Sequence, residues 1–168
     1  NSTLCKTHKD GNPVRLLTSG CNTAIENLSR FIEVICGPLT ENMPSRIKNT
    51  AHLLNVIDDL NQRGIPDNTV LVSFDVVNMF PSMDNLNGIN AMKSFLDNRP
   101  IKKPPTECII EGLNICLYNN NSIFGNENLL QMNGTATGAP NSCSYADIAM
   151  SSIDNNVFEK MTSTWFKV

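Results

Sequence analysis

The chain has 168 residues, 40% of them hydrophobic, with nine Pro and nine Gly, which excludes a disordered or collagen-like chain. The 13 Lys and Arg against 16 Asp and Glu give a net charge of −3. This balance argues against a generic basic coat for nucleic acid but allows a basic groove on one face. No apolar run approaches the roughly 18 residues of a membrane span, so no membrane partner is expected.

The six Cys contain no CxxC pair and the two His cannot complete a Cys/His cluster, so structural zinc is not expected. Because the N-terminus does not read as a secretory signal, we expect reduced, mostly buried thiols in an intracellular protein. The chain begins at Asn1 rather than Met and stops in an aromatic and β-branched run, Trp165 to Val168. These ends predict an internal fragment that stops within a strand.

The first part of the chain predicts a basic arm followed by a helix. Residues 1–20 carry basic side chains around a turn at residues 10–13, which favours a hairpin or an extended arm. Residues 23–26 (TAIE) form a capping-box pattern ahead of apolar residues with helical spacing. Gly37-Pro38 is expected to end this helix.

A second helix and a buried strand are predicted next. The helix begins near Asn49 or Thr50 and ends at Gly64, with the acidic pair Asp58-Asp59 on its solvated face. The run from Val70 to Val77 (VLVSFDVV) is too apolar for a half-exposed strand, so it predicts a buried central strand.

The remaining elements are two helices, a hairpin and a long final helix. Asp84 is placed to cap one helix, and residues 104–106 (PPT) open the next. Residues 122–132 predict a β-hairpin, and a glycine-rich loop then leads into a helix over about 142–160. Together these elements predict a compact α+β fold.

Asp75 is the first candidate functional residue because it interrupts the apolar run. An acid in such a strand costs several kcal/mol unless something satisfies it. It is either a structural carboxylate bonded to backbone or Arg, or a ligand of a divalent cation, which prefers carboxylate oxygen on a rigid element.

Two further segments are candidates for phosphate or nucleotide binding. Gly134 and Gly138 allow the backbone of their loop to approach a ligand closely, although an irregular loop before a helix has the same pattern. Lys6, Lys9 and Arg15 could clamp phosphates, although such clusters are often only a solvated face.

Taken in order, these segments resemble the reverse transcriptases of Penelope-like retroelements, which are related to telomerase catalytic subunits. Residues 6–15 (KTHKDGNPVR) resemble the first fingers motif of that family, and residues 73–82 (SFDVVNMFPS) resemble its palm motif A. Residues 134–142 (GTATGAPNS) through 145–148 (YADI) resemble its motif B, and the helix-rich spacer 45–64 is also typical. The resemblance covers nearly the whole chain.

The resemblance implies a role for each matching residue. Asp75 would be the first catalytic carboxylate and hold both metal ions, and Val76 would lend its backbone carbonyl to the metal on the nucleotide side. Phe80 would be the steric gate against a sugar 2′-hydroxyl, although an ordinary packed aromatic is the alternative. The remaining implied nucleotide-binding residues are Lys9 and Arg15 in the fingers and Gly134, Thr135 and Gly138 in the loop.

The resemblance implies RNA-directed DNA synthesis in a nuclear mobile element, with two Mg²⁺ ions, an RNA template, a DNA primer and deoxynucleoside triphosphates. The expected fold is a partial right-hand polymerase, with residues 1–68 fingers-like and residues 69–168 palm-like with inserted helices. Motif C, an aromatic-x-Asp-Asp hairpin, does not occur in the sequence, so the chain is expected to stop before it and to be inactive alone.

Two alternatives stay open at this point. An unrelated α+β domain with a buried structural Asp75 would share the main pattern. A decayed or domesticated copy that only binds nucleic acid or a protein partner would share the motifs without the activity, although the net acidity weakens this reading.

Overall fold

The computed structural model describes residues 2–5, 11, 14–18, 20–70, 72–124 and 126–160. In these residues the elements in chain order are β1 (Ser2–Cys5), β2 (Val14–Leu17), α1 (Glu26–Thr40), α2 (Thr50–Arg63), α3 (Met79–Ser82), α4 (Asn85–Asp97), α5 (Thr106–Tyr118), β3 (Asn121–Phe124), β4 (Glu127–Leu130) and α6 (Ser142–Lys160). β1 pairs with β2 and β3 pairs with β4, both antiparallel, as two separate sheets. This mixture is compatible with the predicted α+β class, with helix as its main component.

Four helices build the hydrophobic core. α4 packs against α5 and α6, and α1 packs against the same two helices. The apolar residues that these helices bury completely or nearly so recur at helical spacing: Ile32, Cys36, Met92, Leu96, Ile109, Leu113, Leu117, Tyr145 and Ile148. Each fully buried aliphatic side chain contributes about 1.5–3 kcal/mol, so this cluster is the main source of stability.

Local capping signals predicted two helices correctly. The Asn49 side chain accepts a hydrogen bond from the His52 backbone N–H at 2.9 Å, and α2 ends at Gly64 with φ of 84°. The Asp84 carboxylate accepts from the Asn87 N–H at 2.8 Å, which starts α4. These contacts satisfy backbone donors that a helix start leaves free, so both beginnings follow from residues nearby in sequence.

The predicted capping box at the start of α1 is wrong in detail. The Thr23 hydroxyl donates to the Gly20 carbonyl, while the Glu26 carboxylate accepts from the Asn22 N–H and pairs with Arg30. α1 also continues through Gly37-Pro38 to Thr40. Pro38 has no N–H to donate to the carbonyl of Val34, which lies four residues before it. Val34 is 69% exposed, so water can bond to that carbonyl instead.

The buried central strand predicted for residues 70–77 is also wrong. Residues 72–77 belong to no helix or strand and are exposed, with Phe74 90% and Val77 76% accessible. A strand needs a neighbouring strand for its backbone hydrogen bonds, and neither two-stranded sheet of the described residues pairs with this segment. Asp75 therefore does not lie in a buried central strand, and the final helix α6 packs on α1 and α4.

The cysteines are divided between the core and the surface. Cys36 and Cys116 are buried, and burial raises the pKa of their thiols to about 12 and about 11. Cys21, Cys108 and Cys143 are exposed, so the expectation of mostly buried thiols is wrong for these three. Among the described helices, none has both the length and the apolar character needed to cross a membrane.

Tyr145 supplies a prediction about the core. Its side chain is fully buried against Gly88, and among the described residues its hydroxyl has no hydrogen-bond partner. We expect Tyr145→Phe to raise the free energy of unfolding by about 1 kcal/mol, because the substitution removes the desolvation cost of that hydroxyl. Urea unfolding at neutral pH measures the change, and Tyr118→Phe, on a side chain that is 49% exposed, is the control.

The same substitution should change the pH dependence. Burial raises the pKa of Tyr145 from 10.0 to about 12, so the unfolded chain releases this proton first as the pH rises. The folded state then binds more protons than the unfolded state, and stability falls between pH 10 and 12. Tyr145→Phe should reduce this fall, leaving the part due to Cys36 and Cys116. A clear loss of stability at neutral pH would mean that the hydroxyl makes a stabilising contact.

Candidate functional site

The loop from Gly134 to Asn141, here called the glycine loop, connects β4 to α6. Gly134 has φ of 69°, a conformation that side chains rarely adopt. A Cβ atom there would also collide with the carbonyl oxygen of Phe80 and lie 2.8 Å from the Cα of Pro81. The glycine is therefore required twice, by its backbone conformation and by the close approach of a second chain segment.

One end of the glycine loop is hydrogen-bonded to residues 73–82, the segment that resembles motif A and is here called the motif A segment. The Thr135 N–H donates to the Phe80 carbonyl at 3.0 Å. The Gln131 side chain also donates to the carbonyls of Asn133 and Thr135, at 2.8 and 3.1 Å. The Thr135 bond holds the start of the loop against α3, so two segments more than fifty residues apart in sequence share a backbone contact, and the Gln131 bonds fix the loop locally.

The other end of the glycine loop is bonded to the segment that follows the N-terminal hairpin. The Gly138 N–H donates to the Thr18 carbonyl at 2.9 Å, and the Gly20 N–H donates to the Gly138 carbonyl at 3.2 Å. A Cβ on Gly20 would lie only 2.7 Å from the Cα of Ala139, so this contact also depends on a glycine. The loop thus joins the arm to the motif A segment.

Buried polar contacts attach the end of the loop to the helical core. The Ser29 hydroxyl donates to the Asn141 side-chain oxygen at 2.5 Å and accepts from the Asn141 N–H at 3.2 Å. The Ser142 hydroxyl donates to the Ala139 carbonyl at 2.5 Å. Ser29 and Asn141 are each 1% exposed, so the reciprocal pair fixes the loop from within the protein.

The predicted loop residues differ in their accessibility. Thr135 is 2% exposed and Gly134 is buried, whereas Gly138 is exposed. The Thr135 side chain is therefore enclosed, and Gly138 is the predicted loop residue that a ligand reaches directly. The backbone of Arg15 pairs with Leu4 in the hairpin, and Lys9 lies outside the described residues.

The motif A residues lie on an open part of the surface. Asp75 is exposed, so the burial cost inferred for its carboxylate does not apply. Val76 is 43% exposed and Phe80 is half-buried at the start of α3. Asn78, between them, has a left-handed backbone with φ of 51°, which turns the chain into α3.

A cleft of about 610 Å³ borders this segment and is lined by parts of α4 and α6. Val76, Met79 and Met83 are among its apolar lining residues, and Asp84 and Asn87 are among its polar ones. The cleft places Val76 beside a space large enough for a small ligand, and Asp75 is not among its lining residues.

The donor set for Mg²⁺ is incomplete in the described part of the chain. There, no three His, Cys, Asp or Glu side chains come close enough together to hold a metal ion. Asp75 is a single exposed carboxylate, whereas a centre of two ions needs several oxygen ligands, so the described residues do not complete such a centre. We therefore derive no catalytic step through a metal from these residues.

Sequence reasoning missed the pair formed by Ser29 and Asn141. Asn141 lies in the stretch that resembles motif B, but its partner is 112 residues away in an ordinary helical pattern. A serine on the core-facing side of a helix does not by itself indicate which residue it binds.

Comparisons with protein-family models, curated proteins and solved structures found no match to this chain.

Proposed function

We propose that this chain is part of an RNA-directed DNA polymerase of the Penelope-like type, with a fingers part and an incomplete palm. The observation that supports the proposal is the junction at the glycine loop. The Thr135 N–H bonds to Phe80 and the Gly138 backbone bonds to Thr18 and Gly20, so segments next to all three motifs meet there. A nucleotide-handling site needs its fingers, motif A and motif B segments close together.

In this proposal the glycine loop positions the nucleotide and the N-terminal arm supplies cations for its phosphates. Gly138 is exposed, so its surroundings are open to a ligand, while Gly134 and Thr135 hold the loop against α3. Asp75 supplies one carboxylate, and the reaction needs further carboxylates of the motif C type, which these 168 residues do not contain. The proposed reaction uses Mg²⁺, an RNA template, a DNA primer and deoxynucleoside triphosphates in the nucleus.

Primer extension on an RNA template tests the proposal. The protein for this test is a longer chain that contains this region and the expected aromatic-x-Asp-Asp hairpin. We expect Asp75→Asn to abolish extension, because an amide is a poorer ligand for Mg²⁺ than a carboxylate. Asp67→Asn is the control, since Asp67 is an exposed acid outside motif A. Unchanged extension with Asp75→Asn would show that the assigned role is wrong.

A second candidate function is binding of nucleic acid or of a protein partner without catalysis. The exposed position of Asp75 favours it, because the described residues contain no group of three or more His, Cys, Asp or Glu side chains that could hold a metal ion. The same longer chain separates the two candidates. Retained binding of a primer–template duplex, with no extension under any metal condition, supports this second function over the polymerase.

Phe80 provides a prediction about sugar selection that depends on the proposed polymerase function. Phe80→Ala should lower the ratio of kcat/KM for a deoxynucleotide over a ribonucleotide by roughly 30- to 150-fold, or about 2–3 kcal/mol, because an aromatic wall beside the sugar is removed. Since Phe80 contacts Thr135 through its backbone carbonyl, the substitution keeps that bond. Phe95→Ala, in the core-facing side of α4, is the control for a general packing loss.

An unchanged ratio with Phe80→Ala, while overall activity is retained, would assign Phe80 to packing alone. If Phe80→Ala and Phe95→Ala both lower activity toward deoxynucleotides and ribonucleotides to a similar extent, Phe80 would likewise be assigned to packing. Only a selective gain of ribonucleotide incorporation supports the gate.

A further inference from the structure

Two Asn-Gly pairs occur in the chain, Asn87-Gly88 and Asn133-Gly134. Asparagine is a chemically labile residue, and a following glycine makes it more so, because glycine has no Cβ to keep its backbone nitrogen away from the preceding side chain. The two pairs have the same local chemistry, so the fold decides which of them reacts.

The reaction of such a pair needs no partner other than water. The backbone nitrogen of the glycine bonds to the Cγ atom of the asparagine and loses its proton, and the side-chain nitrogen leaves as ammonia. Water then opens the resulting cyclic imide at either of its carbonyls. Opening at the side-chain carbonyl gives an aspartyl residue. Opening at the main-chain carbonyl gives an isoaspartyl residue, in which the main chain runs through the former side chain.

The Asn133-Gly134 pair is not held by hydrogen bonds at its reacting atoms. It lies in the connection between β4 and α6, outside any helix or strand. Asn133 is exposed, and within the described part of the chain its side-chain amide makes no hydrogen bond. The Gly134 N–H has no acceptor among the same residues. Ring closure at Asn133 therefore breaks no hydrogen bond of the leaving amide or of the attacking nitrogen.

The Asn87-Gly88 pair is held in the first turn of α4. Asn87 is also exposed, but its N–H donates to the Asp84 carboxylate at 2.8 Å, and the Gly88 N–H donates to the Asp84 carbonyl at 3.0 Å. The attacking nitrogen is thus part of the helix, and ring closure requires this turn to open first. Burial of the glycine does not distinguish the pairs, since Gly88 and Gly134 are both buried.

We propose that Asn133 is a site of spontaneous deamidation, and that its isoaspartyl product loosens the start of the glycine loop. This proposal does not rest on the proposed polymerase function. In the product the main chain before Gly134 is longer by one carbon atom, and the former Asn133 carbonyl, which accepts from Gln131, becomes a free carboxylate. Gly134 lies so close to Phe80 that a Cβ would collide with the Phe80 carbonyl. A longer main chain at this point displaces the Thr135 N–H from the same carbonyl.

Peptide mapping by mass spectrometry tests the site. The 168-residue chain is incubated in mildly alkaline buffer at a temperature where it stays folded, and samples are digested over time. We expect the Asn133 peptide to exchange NH₂ for OH at least about tenfold faster than the Asn87 peptide, because only Asn87 requires a helix turn to open. Fragmentation spectra separate the isoaspartyl product from the aspartyl product.

The urea-unfolded chain is the control for sequence effects. In urea the two peptides should react at rates within about twofold of each other, because the hydrogen bonds of α4 are then absent. Equal rates at Asn133 and Asn87 in the folded chain, or faster reaction at Asn87, would overturn the proposed site. An Asn133 peptide that stays unmodified while the unfolded chain reacts would do the same.

Thermal unfolding tests the effect on the glycine loop. The isoaspartyl form, isolated by ion exchange, should have a Tm lower by roughly 4–8 °C, the shift expected for loss of the bonds to Phe80 and Gln131. Freshly purified Asn133→Asp carries the charge of the product without the longer main chain, so its Tm should change by less than about 2 °C. Incubated Asn133→Gln should keep its Tm, because its longer side chain closes a ring far more slowly.

Each of these measurements can contradict the proposed effect. An isoaspartyl form with the Tm of the fresh protein would show that the loop tolerates the longer main chain. A fall in Tm of the same size in fresh Asn133→Asp would assign the effect to charge. A matching fall in incubated Asn133→Gln would show that the loss of stability comes from a reaction elsewhere in the chain.

Discussion

Gly134→Ala is expected to lower the free energy of unfolding by about 3 kcal/mol or more. The left-handed backbone of Gly134 costs a residue with a side chain about 1–2 kcal/mol, and the collision of its Cβ with the Phe80 carbonyl adds to that. Relief of the collision requires the Thr135–Phe80 hydrogen bond to lengthen or break. For a chain of this size the change corresponds to a fall in Tm of roughly 6–12 °C.

Gly64 provides a matched control. Its φ of 84° is also positive, but a Cβ there has nothing within 4 Å. Gly64→Ala should therefore cost only the conformational part, about 1–2 kcal/mol. Thermal unfolding of both variants, followed by circular dichroism, separates strain from collision. Equal losses in the two variants would mean that the glycine loop moves away from Phe80 at no cost.

The same comparison extends to the proposed function. If the contact between the glycine loop and α3 positions the nucleotide, Gly134→Ala should reduce primer extension at temperatures where the protein is still folded. Gly64→Ala, at the end of α2 and outside the contact between the glycine loop and α3, should leave extension unchanged at those temperatures. A stability effect without an activity effect would limit the loop contact to a structural role.

Helices with local signals could be predicted from the sequence. α2 and α4 begin where Asn49 and Asp84 accept a backbone N–H three residues ahead, and α2 ends at a glycine with positive φ. The hairpin of β3 and β4 follows in the same way from a short turn between apolar segments. In each case the residues that decide the element lie within a few positions of one another.

Residues 70–77 show where such reasoning fails. Their apolar, β-branched composition is that of a buried strand, but a strand is completed by partners that are distant in sequence. Residues 72–77 instead leave Val72, Phe74 and Val77 exposed. The composition indicates that this segment is suited to a buried strand. It does not show whether a neighbouring strand is present to pair with it.

The candidate site could be predicted only in part. The nucleotide-binding roles that the resemblance implies require the three motif-like segments to lie close together. The bonds from Thr135 and Gly138 join the glycine loop to Phe80 and to the segment that follows residues 6–15. The contacts that hold the loop are of two other kinds. Phe80 binds through its backbone carbonyl, and Ser29 and Asn141 are 112 residues apart in sequence. Neither kind leaves a local pattern of residue types, so single-sequence reasoning had no signal for them.

Arg99 is a buried charged residue whose truncation is expected to be strongly destabilising. It is 5% exposed, and its guanidinium donates to the Ile101, Leu96 and Pro104 carbonyls and to the Thr106 hydroxyl. These acceptors belong to the end of α4, the connection after it and the start of α5. One buried side chain thus joins two helices of the core, through a planar group with five donors.

Arg99→Ala should lower the free energy of unfolding by about 3 kcal/mol, because several buried acceptors lose their donors and a cavity remains. Arg99→Lys should recover less than about half of this, since an ammonium group cannot reproduce the fork of the guanidinium. Arg30→Ala is the exposed control, with a side chain that is 64% accessible and paired with Glu26, and it should change stability by less than about 1 kcal/mol.

Urea unfolding of the three variants at neutral pH measures these differences. If Arg99→Lys retains full stability, the charge alone is sufficient and the bonds to Thr106 and the carbonyls contribute little. If Arg99→Ala matches Arg30→Ala, the connection between α4 and α5 holds without the guanidinium. The expected order, with Arg99→Ala least stable, Arg99→Lys intermediate and Arg30→Ala near the unsubstituted protein, follows from geometry. A guanidinium surrounded by carbonyl and hydroxyl oxygens stabilises through the direction of its donors as well as through its charge.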